Sequence, residues 1–108
     1  LQKPRPILQE LLMIARATDK QINDFLESHD SWSLDKNTLH LNLTFKHFLV
    51  AFEFMRKITL HAEKLNHHPE WYNIYNKVAI DLATHESGGI NEMDFQLAEL
   101  IYITYQNK

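Results

Sequence analysis

The apolar pattern changes from a period of two to a period of three or four within a short stretch, which constrains the fold more than any other feature. Leu39, Leu41, Leu43 and Phe45 alternate with polar residues, which is typical of a strand with one buried face. Apolar residues then recur at helical spacing over about five turns: Phe48, Phe52, Met55, Ile58 or Thr59, Ala62 and Leu65. A strand that leads into a long amphipathic helix predicts that both elements share one core.

The boundaries of this long helix and of the last helix are set by individual residues. Thr44 is a candidate N-cap for the long helix. Pro69 cannot continue a helix, so the helix is expected to stop near residues 66–68. Asn91 is expected to cap the last helix, with Asp94 at its third position, where a carboxylate meets the positive helix end.

The remaining elements complete an α+β fold. Thr18 and Gln21 have the spacing of a capping box and predict a helix that ends near residues 29–30. Further short strands are predicted at residues 32–34, 71–75 and 78–83. The expected order is helix, two strands, helix, two strands, helix. This order predicts a four-stranded antiparallel sheet with helices packed on one face.

Composition restricts the class of protein. A chain of 108 residues is expected to form one domain, over residues 18–108, after an N-terminal extension at residues 1–17 that contains a short helix over residues 7–17. The basic start fits either a variable extension or the remnant of an organelle leader. A net charge of -3 without a basic run argues against nucleic acid, and no stretch is long enough to span a membrane. The lack of cysteine excludes thiolate catalysis and fits a cytoplasmic protein, with nucleus or organelle as alternatives.

Histidines and carboxylates are concentrated in the segment after the long helix. His67 and His68 precede Pro69, and His85 follows the last predicted strand. Histidine has an ordinary pKa near neutral pH, so this grouping predicts proton transfer. Glu63 lies four residues before His67, where it is expected to contact that imidazole across the last helical turn.

Several stretches resemble the pterin-4a-carbinolamine dehydratase family, which is also known as a dimerization cofactor of a homeodomain transcription factor. They are E-K-L-N-H-H-P-E-W at residues 63–71, Y-N-K-V at residues 75–78, L-A-T-H-E-S-G-G-I at residues 82–90 and F-K-H-F-L-V-A-F at residues 45–52. The similarity extends over residues 18–105. Asn91 departs from the family, which usually has Ser or Thr there, but Asn caps a helix equally well.

The resemblance implies a dehydratase that converts 4a-hydroxytetrahydropterin to quinonoid dihydropterin, in tetrahydrobiopterin recycling, without a cofactor or metal. By the same resemblance His67 and His85 act as acid and base, His68 positions the ring and Glu63 orients His67. The implied pterin contacts are made by Asn66, His67, His68, Ala83, Thr84, His85, Glu86 and Asp94. Family members are dimers or tetramers joined through sheet edges and the long helix, so a homodimer or homotetramer is expected. The strand over residues 39–45 is expected to be an edge strand that pairs with a second copy.

Alternatives stay open at this point. Three histidines with carboxylates also suit zinc, although adjacent histidines rarely ligate one ion. Asp94 is equally explained as a helix-start carboxylate. The other four histidines are interpreted as surface or hydrogen-bonded residues: His29, His40, His47 and His61. A second functional class is a protein-binding module that captures a helical partner on the long helix, where Phe54 and His61 fall away from the main apolar stripe. A third alternative is a pterin pocket without activity.

Overall fold

The structure is a computed structural model, and it describes residues 15–107. Within that range the chain forms three α-helices, four strands and one 3₁₀ helix. They are α1 (Asp19–Ser28), β1 (Ser33–Asp35), β2 (Thr38–Thr44), α2 (Phe48–Leu65), β3 (Glu70–Ile74), β4 (Lys77–Leu82), a 3₁₀ helix (His85–Ser87) and α3 (Glu92–Gln106). The order of elements is the predicted one, and the three short strands are each shifted by one residue from their expected positions.

The four strands form one antiparallel sheet in the order β1-β2-β4-β3. Leu41 of β2 and Trp71 of β3 are both paired with Ile80 of β4, so β4 lies in the middle of the sheet. This arrangement confirms the α+β prediction. The expectation that β2 is an edge strand was wrong, because β2 is hydrogen-bonded on both sides. Alternation of apolar residues reports which face is buried, but it carries no information about how many neighbours a strand has.

One face of the sheet and the three helices enclose the core. The sheet contributes alternate residues of its two central strands, which is the pattern expected where one face is covered and the other is open. Buried residues of the sheet are Leu39, Leu41, Leu43, Val78, Ile80 and Leu82, and those of the helices include Ile22, Phe25, Ala51, Phe54, Ile58, Leu97, Ala98 and Ile101. The packing holds the end of α2 and the start of α3 on the same layer.

The buried face of α2 differs from the predicted one. Phe54 is only 2% exposed and its ring lies 5.0 Å from that of Phe45. Phe48 and Phe52, which were predicted to face inward, are 49% and 52% exposed. Two sets of residues on this helix have helical spacing, and the set that begins at Ala51 is the buried one. The small side chain of Ala51 is buried, while the aromatic rings of Phe48 and Phe52 remain at the surface.

Two helix starts follow the predicted capping chemistry, and one does not. The side chain of Thr18 accepts a hydrogen bond from the Gln21 backbone N–H, and the Gln21 side chain accepts one from the Thr18 N–H. Helix α3 begins with the equivalent box at Asn91. The predicted cap at Thr44 was wrong, because the sheet extends to that residue and His47 is the N-cap of α2 without a side-chain hydrogen bond.

The predicted N-terminal extension lies mostly outside the residues that the structure describes. The helix expected over residues 7–17 falls mainly on residues 1–14, outside the described residues. Arg16 forms an isolated antiparallel bridge with Asn91, and the Ala17 N–H donates to the Ile90 carbonyl at 2.7 Å. Among residues 15–107, none of the helices combines the length and the apolar character that crossing a membrane requires.

Candidate active site

The end of α2 determines where the paired histidines lie. Asn66 has a left-handed backbone (φ 51°), and its N–H donates to the Glu63 carbonyl at 3.1 Å. The N–H of His67 then donates back to the Ala62 carbonyl at 3.0 Å. A left-handed residue after a helix turns the chain sharply, and Asn tolerates this conformation better than most residues. The turn directs His67 into the protein while His68 stays exposed.

His67 is paired with Asp94 across the domain. Its Nε2 lies 2.5 Å from Asp94 Oδ1, and the Asp94 side chain is 0% exposed. The predicted contact between Glu63 and His67 was therefore wrong. The turn at Asn66 takes His67 off the line that joins residues four apart on a helix, so the spacing rule no longer applies.

Glu63 instead contacts the second histidine. Its Oε2 lies 2.6 Å from His68 Nε2, and both side chains are more than half exposed. Each of the adjacent histidines thus has its own carboxylate, one buried and one at the surface. A carboxylate that is hydrogen-bonded to an imidazole fixes the orientation of the ring.

Asp94 is held by the start of its own helix and by the end of β4. Its Oδ2 accepts hydrogen bonds from the Asn91 backbone N–H at 2.9 Å and from the Thr84 hydroxyl at 2.8 Å. The interpretation of Asp94 as a helix-start carboxylate is confirmed, and its contact with a pterin stays a prediction. The capping box fixes the carboxylate, and its other oxygen is left for His67.

His85 lies at the rim of this cluster. Thr84 pairs with Gly89 through two backbone hydrogen bonds of 2.8 and 3.2 Å, and Gly88 closes the loop with φ 76°. The His85 side chain is 85% exposed, and its Nε2 lies 4.0 Å from Glu70 Oε1. Within residues 15–107 His85 forms no hydrogen bond with His67 or His68. His85 directly follows Thr84, whose hydroxyl donates to Asp94.

The remaining predicted site residues lie around the same loop and helix end. Asn66 and Glu86 are exposed, and Ala83 is half-buried directly after β4. Their contacts with a pterin stay predictions. Two residues of this cluster were not among the predicted site residues. Glu70 Oε1 lies 4.0 Å from His85 Nε2, and Asn91 Oδ1 accepts a hydrogen bond from the Thr84 hydroxyl at 2.9 Å. The spacing of Asn91 and Asp94 had indicated the cap, but nothing in it indicated a partner at the end of a strand.

The other histidines are surface or hydrogen-bonded, as predicted. His29 stacks on Phe25 with ring centroids 4.0 Å apart and is paired with Glu99. His40 Nδ1 lies 2.6 Å from Asp81 Oδ1. In the part of the chain that the structure describes, no group of three or more His, Asp or Glu side chains is arranged to hold a metal ion.

The chain is similar to several known proteins. The family model described as pterin 4 alpha carbinolamine dehydratase matches residues 15–102. A "Putative pterin-4-alpha-carbinolamine dehydratase" of Prochlorococcus marinus (strain NATL2A) is 45% identical over 89 residues, covering 82% of this chain and 94% of that protein. A protein of the same name from Chelativorans sp. (strain BNC1) is 46% identical over 82 residues, covering 74% and 84%. A crystal structure of a transcriptional coactivator/pterin dehydratase from Brucella melitensis is 38% identical, covers 82% of this chain and 97% of that one, and has a TM-score of 0.80.

Proposed function

The chain belongs to the pterin 4 alpha carbinolamine dehydratase family, and we propose that it removes water from 4a-hydroxytetrahydropterin to give quinonoid dihydropterin, as a step in tetrahydrobiopterin recycling. The observation that carries the proposal is the buried His67–Asp94 pair beside two exposed histidines. This arrangement offers an oriented proton carrier at the floor of the cluster and accessible ones at its rim.

The reaction needs two proton transfers and no redox chemistry. The bond between carbon 4a and the hydroxyl oxygen breaks, and the oxygen leaves as water after receiving a proton. The hydrogen on N5 is taken by a base, and its electron pair forms the new C=N bond. Imidazoles donate and accept protons near neutral pH, so two histidines suffice.

The residues take the following roles in this proposal. His67 and His85 form the acid and base pair. His68 is held by Glu63 and positions the pterin ring. Of the predicted contact residues, Asn66, Ala83 and Glu86 are accessible and supply contacts to the pterin, whereas Thr84 and Asp94 are buried. The oriented carboxylate of Asp94 supports this scheme, because it fixes the ring of His67 before substrate binds.

A direct assay tests the proposal. Freshly generated 4a-hydroxytetrahydropterin is mixed with the protein, and formation of quinonoid dihydropterin is followed against the uncatalysed reaction. We expect the protein at catalytic concentration to accelerate water loss at neutral pH. A rate identical to that without protein, from a folded sample, would contradict the proposal.

A second candidate function is a module that binds a helical protein partner. Exposed apolar side chains lie along α2 and favour this role: Phe48, Leu49, Phe52 and Leu60. A cavity of ≈ 600 Å³ between α2 and α3 is lined by the exposed apolar side chains of Leu60 and Ile103, with Lys57 and Lys64 beside them. The same surface suits a second copy of the chain, so we also propose a homodimer or homotetramer. We further propose that the protein is located in the cytoplasm.

The two functions are separable by experiment. An active dehydratase that captures no helical peptide supports the enzyme alone. An inactive protein that binds such a peptide through α2 supports the binding module. Substituting Phe52 with Glu should weaken only the binding, because α2 begins at the opposite end from His67.

A further inference from the structure

The hydrogen bonds of Asp94 indicate which nitrogen of His67 does the chemistry. Three groups surround the carboxylate: the Asn91 N–H and the Thr84 hydroxyl at Oδ2, and His67 Nε2 at Oδ1. An ionised carboxylate only accepts hydrogen bonds. His67 Nε2 must then carry a hydrogen, and in the neutral ring Nδ1 is the nitrogen with a free electron pair.

From this geometry we infer that Thr84 is a positioning residue, whose hydroxyl holds Asp94 so that His67 keeps its hydrogen on Nε2 and offers Nδ1 to the substrate. The inference rests on the proposed function as far as the substrate is concerned. It differs from the predicted role of Thr84 as a pterin contact. No step of the reaction is added, since the hydrogen on Nε2 stays in place while Nδ1 exchanges its proton.

The position of Thr84 supports this assignment. Its side chain is buried, and its backbone N–H and carbonyl are both bound to Gly89. The carbonyl also accepts from the N–H and hydroxyl of Ser87, at 3.1 and 3.0 Å. The polar groups of Thr84 are thus committed within the protein, and its hydroxyl points at the carboxylate instead of at the exposed rim.

The hydroxyl has two acceptors, and their chemistry decides between them. Oδ2 of Asp94 lies 2.8 Å away and Oδ1 of Asn91 lies 2.9 Å away. Asn91 Oδ1 already accepts the Met93 N–H at 2.9 Å, and a charged acceptor binds a hydroxyl hydrogen more strongly than an amide oxygen does. The hydroxyl therefore restrains Asp94 from the strand side while the Asn91 N–H restrains it from the helix side.

Removal of the hydroxyl should release one side of the carboxylate. A valine at position 84 has nearly the same shape but cannot donate. Asp94 is then free to rotate about the Asn91 N–H, and its contact with Nε2 weakens. His67 would populate both neutral tautomers, which lowers the fraction of molecules with an electron pair on Nδ1.

The test compares Thr84→Val with Thr84→Ser, the matched control that retains the hydroxyl. Nitrogen-15 spectra of the histidine rings are recorded at about pH 8.5, where an unperturbed histidine is neutral. The His67 signals are identified by their loss in His67→Gln. We expect wild type and Thr84→Ser to show the hydrogen on Nε2, and Thr84→Val to show a mixture. Turnover of Thr84→Val should fall roughly 10-fold with KM little changed, as when the partner behind a functional histidine is lost.

The ring spectra separate this inference from the proposed function, because they need no substrate. A hydrogen on Nδ1 of His67 in the wild type would overturn the inference, even if Thr84→Val failed to fold. An unchanged tautomer together with unchanged turnover in Thr84→Val would also overturn it. The expected spectra from a protein without dehydratase activity would sustain the positioning role and contradict only the proposed reaction.

Discussion

Asp94 connects three parts of the chain that are distant in sequence. It receives hydrogen bonds from the start of its own helix and from Thr84 at the end of β4, and it contacts His67 after α2. A buried carboxylate is tolerated when all its hydrogen bonds are formed, whereas loss of one partner lowers the free energy of unfolding by about 1–3 kcal/mol. The position of His67 is thereby coupled to the correct placement of both neighbouring elements.

The catalytic pair gives the first prediction. His67→Ala and His85→Ala should each slow dehydration by roughly 10²–10⁴-fold, which is the usual contribution of general acid–base catalysis. His47→Ala is the matched control, because His47 precedes α2 at the far end of that helix from His67. Steady-state turnover of freshly made substrate is the measurement. Near-wild-type rates in both site variants, with folding confirmed by circular dichroism, would show that the assignment is wrong.

Chelation gives a prediction about the chemistry of the same histidines. Exhaustive treatment with a strong chelator should leave turnover and the thermal midpoint unchanged, since the proposed mechanism uses proton transfer alone. Both quantities are measured before and after dialysis. Loss of activity that returns on addition of zinc would favour the metal alternative.

At the scale of elements, α2 has two apolar faces, and either could have packed against the sheet. Its apolar residues fit two helical stripes that share Ile58 and Ala62. The structure buries the stripe that starts at Ala51 and leaves Phe48 and Phe52 at the surface. The outcome depends on which side chains fit against Phe45 and the sheet, and this is a tertiary property.

The phase of α2 is testable by stability measurements. Phe54→Ala should lower the free energy of unfolding by about 3–5 kcal/mol, because it removes a buried aromatic ring and leaves a cavity. Phe52→Ala is the matched control on the same helix and, in protein diluted until it is monomeric, should change it by about 0.5 kcal/mol or less. Urea denaturation followed by circular dichroism measures both. If Phe52→Ala lowered the free energy of unfolding more than Phe54→Ala did, the face of α2 that carries Phe52 would be the buried one, which contradicts the structure.

Most elements were predictable because their signals are local. The capping boxes at Thr18 and Asn91 and the alternation in β2 depend only on neighbouring residues, and all three were found. The resemblance to a family indicated the segment for the site, and that location stays a prediction. The partner of His67 was not predictable, since Pro69 indicates where α2 ends but not that Asn66 adopts a left-handed turn. Long-range contacts such as Thr84 with Asp94 leave no trace in local spacing.

At the scale of the whole molecule, we predict that the chain assembles into an oligomer. The exposed apolar face of α2 favours association, and the edges of the sheet are β1 and β3 instead of the predicted β2. The residues assigned to the reaction lie between Glu63 and Asp94 of one chain. Each subunit should therefore carry a site of its own.

Sedimentation at micromolar concentration tests the assembly. We expect a dimer or a tetramer, with the α2 helices packed together, and we expect Phe52→Glu to shift the protein toward monomer by burying an unpaired charge. Tyr102→Glu is the matched control, since Tyr102 is a similarly exposed aromatic residue on α3. A monomer of 12.8 kDa in the wild type, with full activity, would contradict the assembly and leave the catalytic proposal intact.

The capping box of α3 has a consequence for how activity responds to denaturant. The first turn of a helix opens more readily than its middle, and local opening needs less free energy than global unfolding. The carboxylate that caps α3 is also the one that holds His67. Fraying of one helical turn would therefore free the catalytic imidazole while the sheet and the other helices stay folded. Turnover should decline at urea concentrations where helix content is still native.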